Sequence, residues 1–164
     1  MASGDTLLTF TAAANEPPST NYATLDTRNN HLVLDFDTTT QETAIFTAVM
    51  PRTYSAATGV TVYVHAMLTS ATSGTLGWDV SFERMSDATT DLDSDSFATA
   101  QTITAATVPG TSGVVLVLNV AITAGANMDS VAAGESFRLR VRRDVTNDTA
   151  TGDAELLAVE IKET

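Results

Sequence analysis

The stretch Val60-Thr-Val-Tyr-Val-His-Ala-Met-Leu68 alternates between two kinds of side chain along its whole length. One set is aliphatic and shares one face of an extended chain: Val60, Val62, Val64, Ala66 and Leu68. The intervening residues occupy the opposite face. Because the side chains of a β-strand alternate with a period of two, whereas a helix repeats near 3.6 residues, this pattern predicts a half-buried strand.

The same alternation recurs from end to end, separated by turn-forming residues, and helical periodicity is absent. We therefore predict an all-β chain of eight to ten strands, drawn from residues 7–11, 22–27, 31–37, 42–50, 60–68, 78–83, 98–108, 114–122, 137–141 and 157–161. Two packed antiparallel sheets account for this pattern. The long connections over residues 87–96 and 125–133 favour the Greek-key crossings of a jelly roll over an up-and-down barrel.

Three strand arrangements are expected in more detail. Segments 60–68 and 78–83 are expected to form a hairpin through the turn between them. Because Val115 and Val117 are apolar as well as their neighbours, segment 114–122 is expected to be central and covered on both faces. Segments 137–141 and 157–161 are expected to form a closing hairpin.

The length of 164 residues fits one β-sandwich domain over residues 1–164. Within it, residues 1–21 are a candidate for an extended N-terminal arm, since Pro17 and Pro18 exclude regular ladder pairing. An arm of this kind, reaching as far as Tyr22, could cross a subunit boundary. Pro17, Pro18 and Tyr22 are therefore interface candidates.

The charge balance excludes several partners. The formal net charge is -12, so the field of the protein repels phosphate backbones and anionic membranes, and we expect neither nucleic acid nor membrane as a partner.

The absence of cysteine removes thiol chemistry and disulfides. The first residues carry no basic and apolar segments of a secretory signal, so synthesis in the cytoplasm is expected.

Catalysis and cofactors have no support in the sequence, and we expect a protein that is not an enzyme. The two histidines, His31 and His65, do not lie at the spacing of a triad or a zinc helix. The alternating aspartates Asp91, Asp93 and Asp95 are weak calcium candidates. They lack the glycine and the closing glutamate of a known calcium loop, so a solvated acidic loop is favoured and no metal is assigned.

Arg138, Arg140 and Arg142 share one face of a predicted strand, opposite Phe137, Leu139 and Val141. This row could dock on an acidic neighbouring subunit or hold an anionic sugar through bidentate contacts. In so acidic a chain, internal pairing is favoured, either with Asp79 and Glu83 or with Asp153 and Glu155.

Aromatic side chains are the usual platform for sugars, and Trp78, Tyr22, Tyr54 and Tyr63 are the natural candidates here. Trp78 shares a face with Val80 and Phe82, which predicts that it lies in the core. The tyrosines are too few and scattered to define a platform.

The stretch Ala133-Gly-Glu-Ser-Phe-Arg-Leu-Arg-Val-Arg-Arg-Asp144, with Gly152-Asp-Ala-Glu-Leu-Leu-Ala-Val-Glu-Ile161, resembles the closing hairpin of small jelly-roll proteins on the virions of tailed bacteriophages. The resemblance implies a virion surface location and a structural role, as a capsid decoration protein or a fibre-type module. It implies partners as well, namely copies of the same chain in a homotrimer and the major capsid or other virion proteins.

The chain contains no heptads or collagen-like repeat for a fibre shaft, which favours decoration of the phage head. The alternative is a receptor-binding or fibre-type carbohydrate-binding module, for which an exposed aromatic patch would be the distinguishing feature. A glycan-active enzyme is the third hypothesis.

Overall fold

The structure is a computed structural model that describes residues 3–164. In chain order its strands are β1 (Thr6–Thr11), β2 (Thr24–Arg28), β3 (His31–Phe36), β4 (Thr43–Val49), β5 (Val60–Leu68), β6 (Thr75–Met85), β7 (Gln101–Thr107), β8 (Leu116–Ile122), β9 (Ser136–Arg143) and β10 (Ala154–Glu163). Two short 3₁₀ turns, Ala12–Ala14 and Ala126–Met128, are the only helical segments in the described chain. No helix within it is long and apolar enough to span a membrane.

The ten strands form two antiparallel sheets. One sheet has the order β2-β3-β10-β5-β8, with β1 also paired to β10, and the other has the order β4-β9-β6-β7. Strand β3 pairs with β10, β4 with β9, β5 with β8 and β6 with β7, as in a long hairpin that has been rolled up from its β6–β7 end. This pairing is that of a jelly roll, which confirms the predicted fold class.

The two sheets enclose one continuous apolar core. Trp78 is fully buried, as its position beside Val80 and Phe82 predicts, and its ring meets Phe36 of the facing sheet edge-on at 4.9 Å between centroids. Within the four-stranded sheet, Phe82 of β6 packs on Phe137 of the adjacent β9 at a tilt of 39°, with 5.5 Å between ring centroids. Each large apolar side chain buried here contributes roughly 1.5–3 kcal/mol to the folded state.

The two predicted hairpins, of segments 60–68 with 78–83 and of segments 137–141 with 157–161, are wrong. Strand β5 pairs with β10 and β8, whereas β6 pairs with β7 and β9 in the other sheet. Strands β9 and β10 likewise belong to different sheets. A strand with one apolar face buries it equally well beside its sequence neighbour or opposite it across the core, so alternation alone does not define the partner.

The expectation of a central, doubly covered strand at 114–122 is also wrong. Strand β8 is hydrogen-bonded only to β5 and lies at the edge of its sheet. Val115 and Val117 are 43% and 46% exposed. Valine is favoured in strands by its β-branched shape, so a run of valines does not by itself require burial on both faces.

The N-terminal segment is only partly an arm. Strand β1 runs along β10 from Thr6 to Thr11, and Leu7 and Phe10 are buried in the core. Within the candidate arm over residues 1–21, strand β1 is built into the sandwich. Residues 1 and 2 lie outside the described residues, and residues 15–22 run past the β4 edge of the second sheet, where the Asn21 carbonyl accepts a hydrogen bond from the Thr43 amide.

The conformation of the turn between β2 and β3 is determined by its own two residues. Asn29 and Asn30 adopt φ values of 47° and 65°, the left-handed conformation at both central positions. Two such residues match the right-handed twist of paired strands and make a tight hairpin. Asparagine tolerates this region better than other side chains, so this hairpin is defined by its own sequence.

Candidate functional site

The outer face of the four-stranded sheet carries three parallel rows of side chains. Strand β9 lies between β4 and β6, and its residues Arg138, Arg140 and Arg142 point outward because Phe137, Leu139 and Val141 point into the core. The rows, given in the order β4, β9, β6, are Thr47–Arg138–Glu83, Ile45–Arg140–Ser81 and Thr43–Arg142–Asp79. The outer rows thus pair an arginine with a carboxylate, and the middle row does not.

The two outer arginines form cross-strand ion pairs. Arg142 makes a bidentate contact with Asp79, with N–O distances of 2.8 and 3.1 Å, and Arg138 donates to the buried carboxylate of Glu83. The Glu83 contact also raises the pKa of Arg138. The expected pairing of the arginine row with Asp79 and Glu83 is therefore present.

The other predicted acidic partners belong to different contacts. Glu155 lies in the opposite sheet and pairs with Arg28 at 2.6 Å. Asp153 accepts a hydrogen bond from the Thr38 hydroxyl at 3.1 Å. Neither contacts the arginine row.

Arg140 differs from its neighbours in having no carboxylate partner among the described residues. Its Nε donates to Ser81 Oγ at 2.9 Å, and its two terminal nitrogens have no partner in the described part of the chain. Burial lowers the pKa of Arg140, and the adjacent charge of Arg142 lowers it further. The guanidinium remains a cation at neutral pH, so a charge with open donor positions lies in the middle of this face.

Phe97 covers part of the same face. It belongs to the connection between β6 and β7, which returns to the sheet where the Ala98 amide donates to the Phe82 carbonyl at 2.8 Å. The ring lies against two guanidinium groups, 4.6 Å from that of Arg140 and 5.1 Å from that of Arg138. Stacking of this kind holds a guanidinium plane in a fixed orientation.

Phe97, Arg140 and Arg142 border a groove of about 320 Å³. We call it the arginine groove, and its lining residues are Pro18, Thr20, Asn21, Gln41, Thr43, Ile45, Phe97, Arg140 and Arg142. The lining combines one aromatic ring, two guanidinium groups, two amides and two hydroxyls, and it includes no carboxylate. Such a set of planar donors, hydroxyls and one ring can hold a polyhydroxylated ligand.

Five of the six predicted interface residues line two neighbouring depressions, and Arg138 lines neither. Pro18, Arg140 and Arg142 line the arginine groove. Pro17 and Tyr22 line a smaller apolar groove of about 220 Å³ at the edge of the sandwich. Whether these residues contact another subunit stays a prediction.

A third groove, of about 430 Å³, lies on the opposite sheet and is lined by residues that include Arg28, His31, Met67 and Leu157. Its arginine is already engaged: Arg28 Nη1 contacts Glu155 and donates to the Leu68 carbonyl at 3.2 Å. No Phe, Tyr or Trp side chain of residues 3–164 lines this groove. His31 lies here, whereas His65 lies mid-strand on the outer face of β5, facing Val117 of β8.

The weak calcium candidates Asp91, Asp93 and Asp95 lie in an exposed turn between β6 and β7. Asp91 Oδ1 accepts the Asp93 amide at 3.1 Å, and the Asp91 carbonyl accepts the Asp95 amide at 3.0 Å. Within residues 3–164, no three acidic or histidine side chains come close enough together to hold a metal ion. The structure thus places these carboxylates in a local turn.

Sequence reasoning identified the arginine row but missed Phe97, Asn21 and Gln41. Phe97 follows an acidic loop in which no pattern marks it as a site residue, and its contact with Arg140 depends on how that loop returns to the sheet. Asn21 and Gln41 lie in connections as well. A lone aromatic beside a solvated loop is the one signal that could have indicated the groove.

The chain is similar to known proteins in its three-dimensional fold and not in its sequence. No protein-family model matches the chain, and no curated protein matches it in sequence. Among solved structures, the CBM22-1–GH10 modules of the Clostridium thermocellum xylanase Xyn10B, complexed with xylohexaose, match with a TM-score of 0.53 and 12% identity over 99% of this chain. The chain spans only 29% of that xylanase structure.

A second match is to a domain of nearly the same size. The CBM22-2 xylan-binding domain of Xyn10C from Paenibacillus barcinonensis has a TM-score of 0.51 and 12% identity, over 92% of each chain. At this identity, the similarity establishes a shared β-sandwich fold.

Proposed function

We propose that this chain is a non-catalytic carbohydrate-binding domain, and that its glycan lies in the arginine groove. The proposal rests above all on the joint placement of Phe97, the free edge of Arg140 and the side-chain amides in one groove. An aromatic ring stacks against the apolar face of a sugar ring, while planar donors bind its hydroxyls.

The shared fold supports the same conclusion. Two solved structures that match most of this chain are described as a xylan-binding domain and as xylanase modules complexed with xylohexaose. A β-1,4-linked pentose chain is therefore the first ligand to test.

A binding role rather than a catalytic one is supported by the charges beside the groove. Asp79 and Glu83 are the carboxylates closest to the arginine row, and each is held by an arginine. A glycosidase needs one carboxyl group free to donate a proton and a second free to act as base or nucleophile. Carboxylates neutralised in ion pairs do not fit these tasks.

The test is isothermal titration calorimetry of the full chain with soluble xylan. Phe97→Ala is expected to weaken binding about twofold to tenfold, the range typical of one lost aromatic contact. Tyr63→Ala is the matched control, because Tyr63 is a half-buried aromatic on the outer face of the opposite sheet. Binding lost in Tyr63→Ala but kept in Phe97→Ala would move the site to the other sheet. No binding to xylan or to any glycan of a broad array would overturn the proposal.

A second candidate is a virion surface protein that acts through subunit interfaces, in a homotrimer on a phage capsid. The observation in its favour is an exposed apolar cluster at the sandwich edge: Tyr22 at 48%, Leu25 at 55% and Leu32 at 46% exposure. Neighbouring apolar side chains of this size often mark an interface. Light scattering coupled to gel filtration tests it, with a trimer that Leu25→Asp dissociates as the supporting result and a monomer at all concentrations as the contrary one.

A further inference from the structure

The middle row of the arginine face carries an unbalanced positive charge. Three arginines point outward from β9, and two carboxylates oppose them from β6. Where the third carboxylate would stand, β6 has Ser81, which gives Arg140 only a neutral acceptor at 2.9 Å. Within the described chain, Arg140 is therefore the one arginine of this row without a carboxylate in contact, and the further carboxylates Glu16 and Asp95 act on Arg138 at the end of the row.

The geometry of Arg140 suits a planar anion. Its Nε is engaged by Ser81, so that both terminal nitrogens remain as parallel donors. The ring of Phe97 at 4.6 Å restrains the guanidinium plane, which reduces the entropy lost when a ligand binds. A carboxylate accepts two parallel N–H bonds from such a fork, whereas an alcohol does not.

The surroundings of Arg140 in the groove are compatible with a negative charge. The remaining lining is uncharged apart from Arg142, whose charge is balanced by Asp79. The net charge of -12 repels an acidic polymer at long range, but salt at physiological strength screens exposed charges beyond about 8 Å. Recognition is then decided by the contacts within the groove.

We propose that Arg140 makes the arginine groove selective for acidic glycans, through a bidentate contact with the carboxylate of a uronic acid residue. This inference rests on the proposed carbohydrate-binding function and specifies its ligand class. A neutral sugar offers the open donors of Arg140 single hydroxyl oxygens, whereas the carboxylate of a uronate accepts from both donors at once and neutralises the charge.

The experiment uses one polymer in two forms: a xylan bearing glucuronic acid side groups, and the same polymer after its carboxyl groups are reduced to alcohols. Calorimetry of the full chain is expected to give on the order of tenfold tighter binding to the carboxylate form. Arg140→Gln is expected to remove this preference, so that the variant binds both polymers with the same, weaker affinity. Arg140→Lys keeps the charge without the fork, and it is expected to retain only part of the preference.

Arg52→Gln is the matched control, because Arg52 is exposed and lies outside the groove, so that the variant removes the same charge elsewhere. It is expected to keep the full preference. Equal affinity of the unmodified protein for both polymers would overturn the acidic selectivity and leave the carbohydrate-binding function in place. A preference that survives in Arg140→Gln would also overturn it, and binding to neither polymer would count against both proposals.

Discussion

Arg143 Nε donates to Asp148 Oδ2 at 2.7 Å, and both side chains are almost completely shielded from solvent. The same guanidinium donates to the carbonyls of Gly152 at 2.8 Å and Ala150 at 2.9 Å. One buried arginine therefore holds the connection that carries the chain from β9 in one sheet to β10 in the other. It also satisfies carbonyl groups that would otherwise be buried without donors.

Replacing this arginine is expected to destabilise the protein strongly. Arg143→Met keeps much of the volume but leaves the Asp148 carboxylate buried without its cation, which costs about 3–5 kcal/mol. Urea denaturation followed by tryptophan fluorescence measures the loss. The double variant Arg143→Met/Asp148→Leu is expected to recover part of the lost unfolding free energy. A loss below about 1 kcal/mol in the single variant would show that the ion pair does not stabilise the connection between β9 and β10.

The ion pair of Arg138 with Glu83 is expected to be coupled rather than additive. Because Glu83 is buried, Arg138→Ala leaves its carboxylate buried without a cation. The double variant Arg138→Ala/Glu83→Ala removes that charge as well. A double-mutant cycle is expected to give a coupling free energy of about 1–3 kcal/mol. Additive effects would mean that solvent already screens the pair.

Stability is expected to depend on pH through Asp35. Burial, followed by the charges of Asp153, Glu155, Asp26 and Glu42, raises its pKa from 3.8 to about 6. Its Oδ1 is buried without a hydrogen-bond partner among the described residues. The folded state then binds the proton more tightly than the unfolded state, so this group lowers stability as pH rises from about 4 to about 6.

Asp35→Asn removes that charge and is expected to raise the melting temperature more at pH 7.5 than at pH 4. Thermal unfolding at the two pH values measures the difference. Asp87→Asn, a change in the exposed loop after β6, serves as the control and is expected to give the same small effect at both. An equal shift for Asp35→Asn at both pH values would show that the pKa of Asp35 is not raised.

Gly59 is expected to tolerate no side chain. Its φ is +106°, and a Cβ there would lie 2.1 Å from the Ile122 carbonyl oxygen. Gly59→Ala is expected to cost roughly 2–4 kcal/mol in unfolding free energy, from backbone strain and this clash together. Gly110→Ala, where nothing lies within 4 Å, is expected to change stability by less than about 0.5 kcal/mol. Chemical denaturation of both variants decides the matter, since similar losses would contradict the steric argument.

The arginine row of the candidate site was visible in the sequence because charge and period are local properties. The spacing of Arg138, Arg140 and Arg142 places them on one strand face, and the spacing of Asp79 and Glu83 matches two of them. The sequence did not show which of the three arginines lacks a carboxylate partner. It depends on the register between β6 and β9, which places Ser81 opposite Arg140.

The groove itself could not be predicted in this way. Thr20, Gln41 and Phe97 come from three separate connections, and only the folded chain brings them around Arg140. Loop residues carry no periodic signal, and the path of a loop is determined by contacts with residues distant in sequence. The edge position of β8 was missed for a related reason, because its valines fit an exposed edge as well as a buried centre.

By itself, the sequence determined the all-β class, the approximate place of the strands, the buried face of β5 and β9 and the burial of Trp78. These follow from a period of two and from the transfer of apolar surface out of water, which act along a short stretch of chain. Only the tertiary structure decided which sheet each strand joins. Pairing β5 with β8 and β6 with β7, rather than β5 with β6, depends on the packing of two whole sheets around Trp78 and Phe36, and no short segment contains that information.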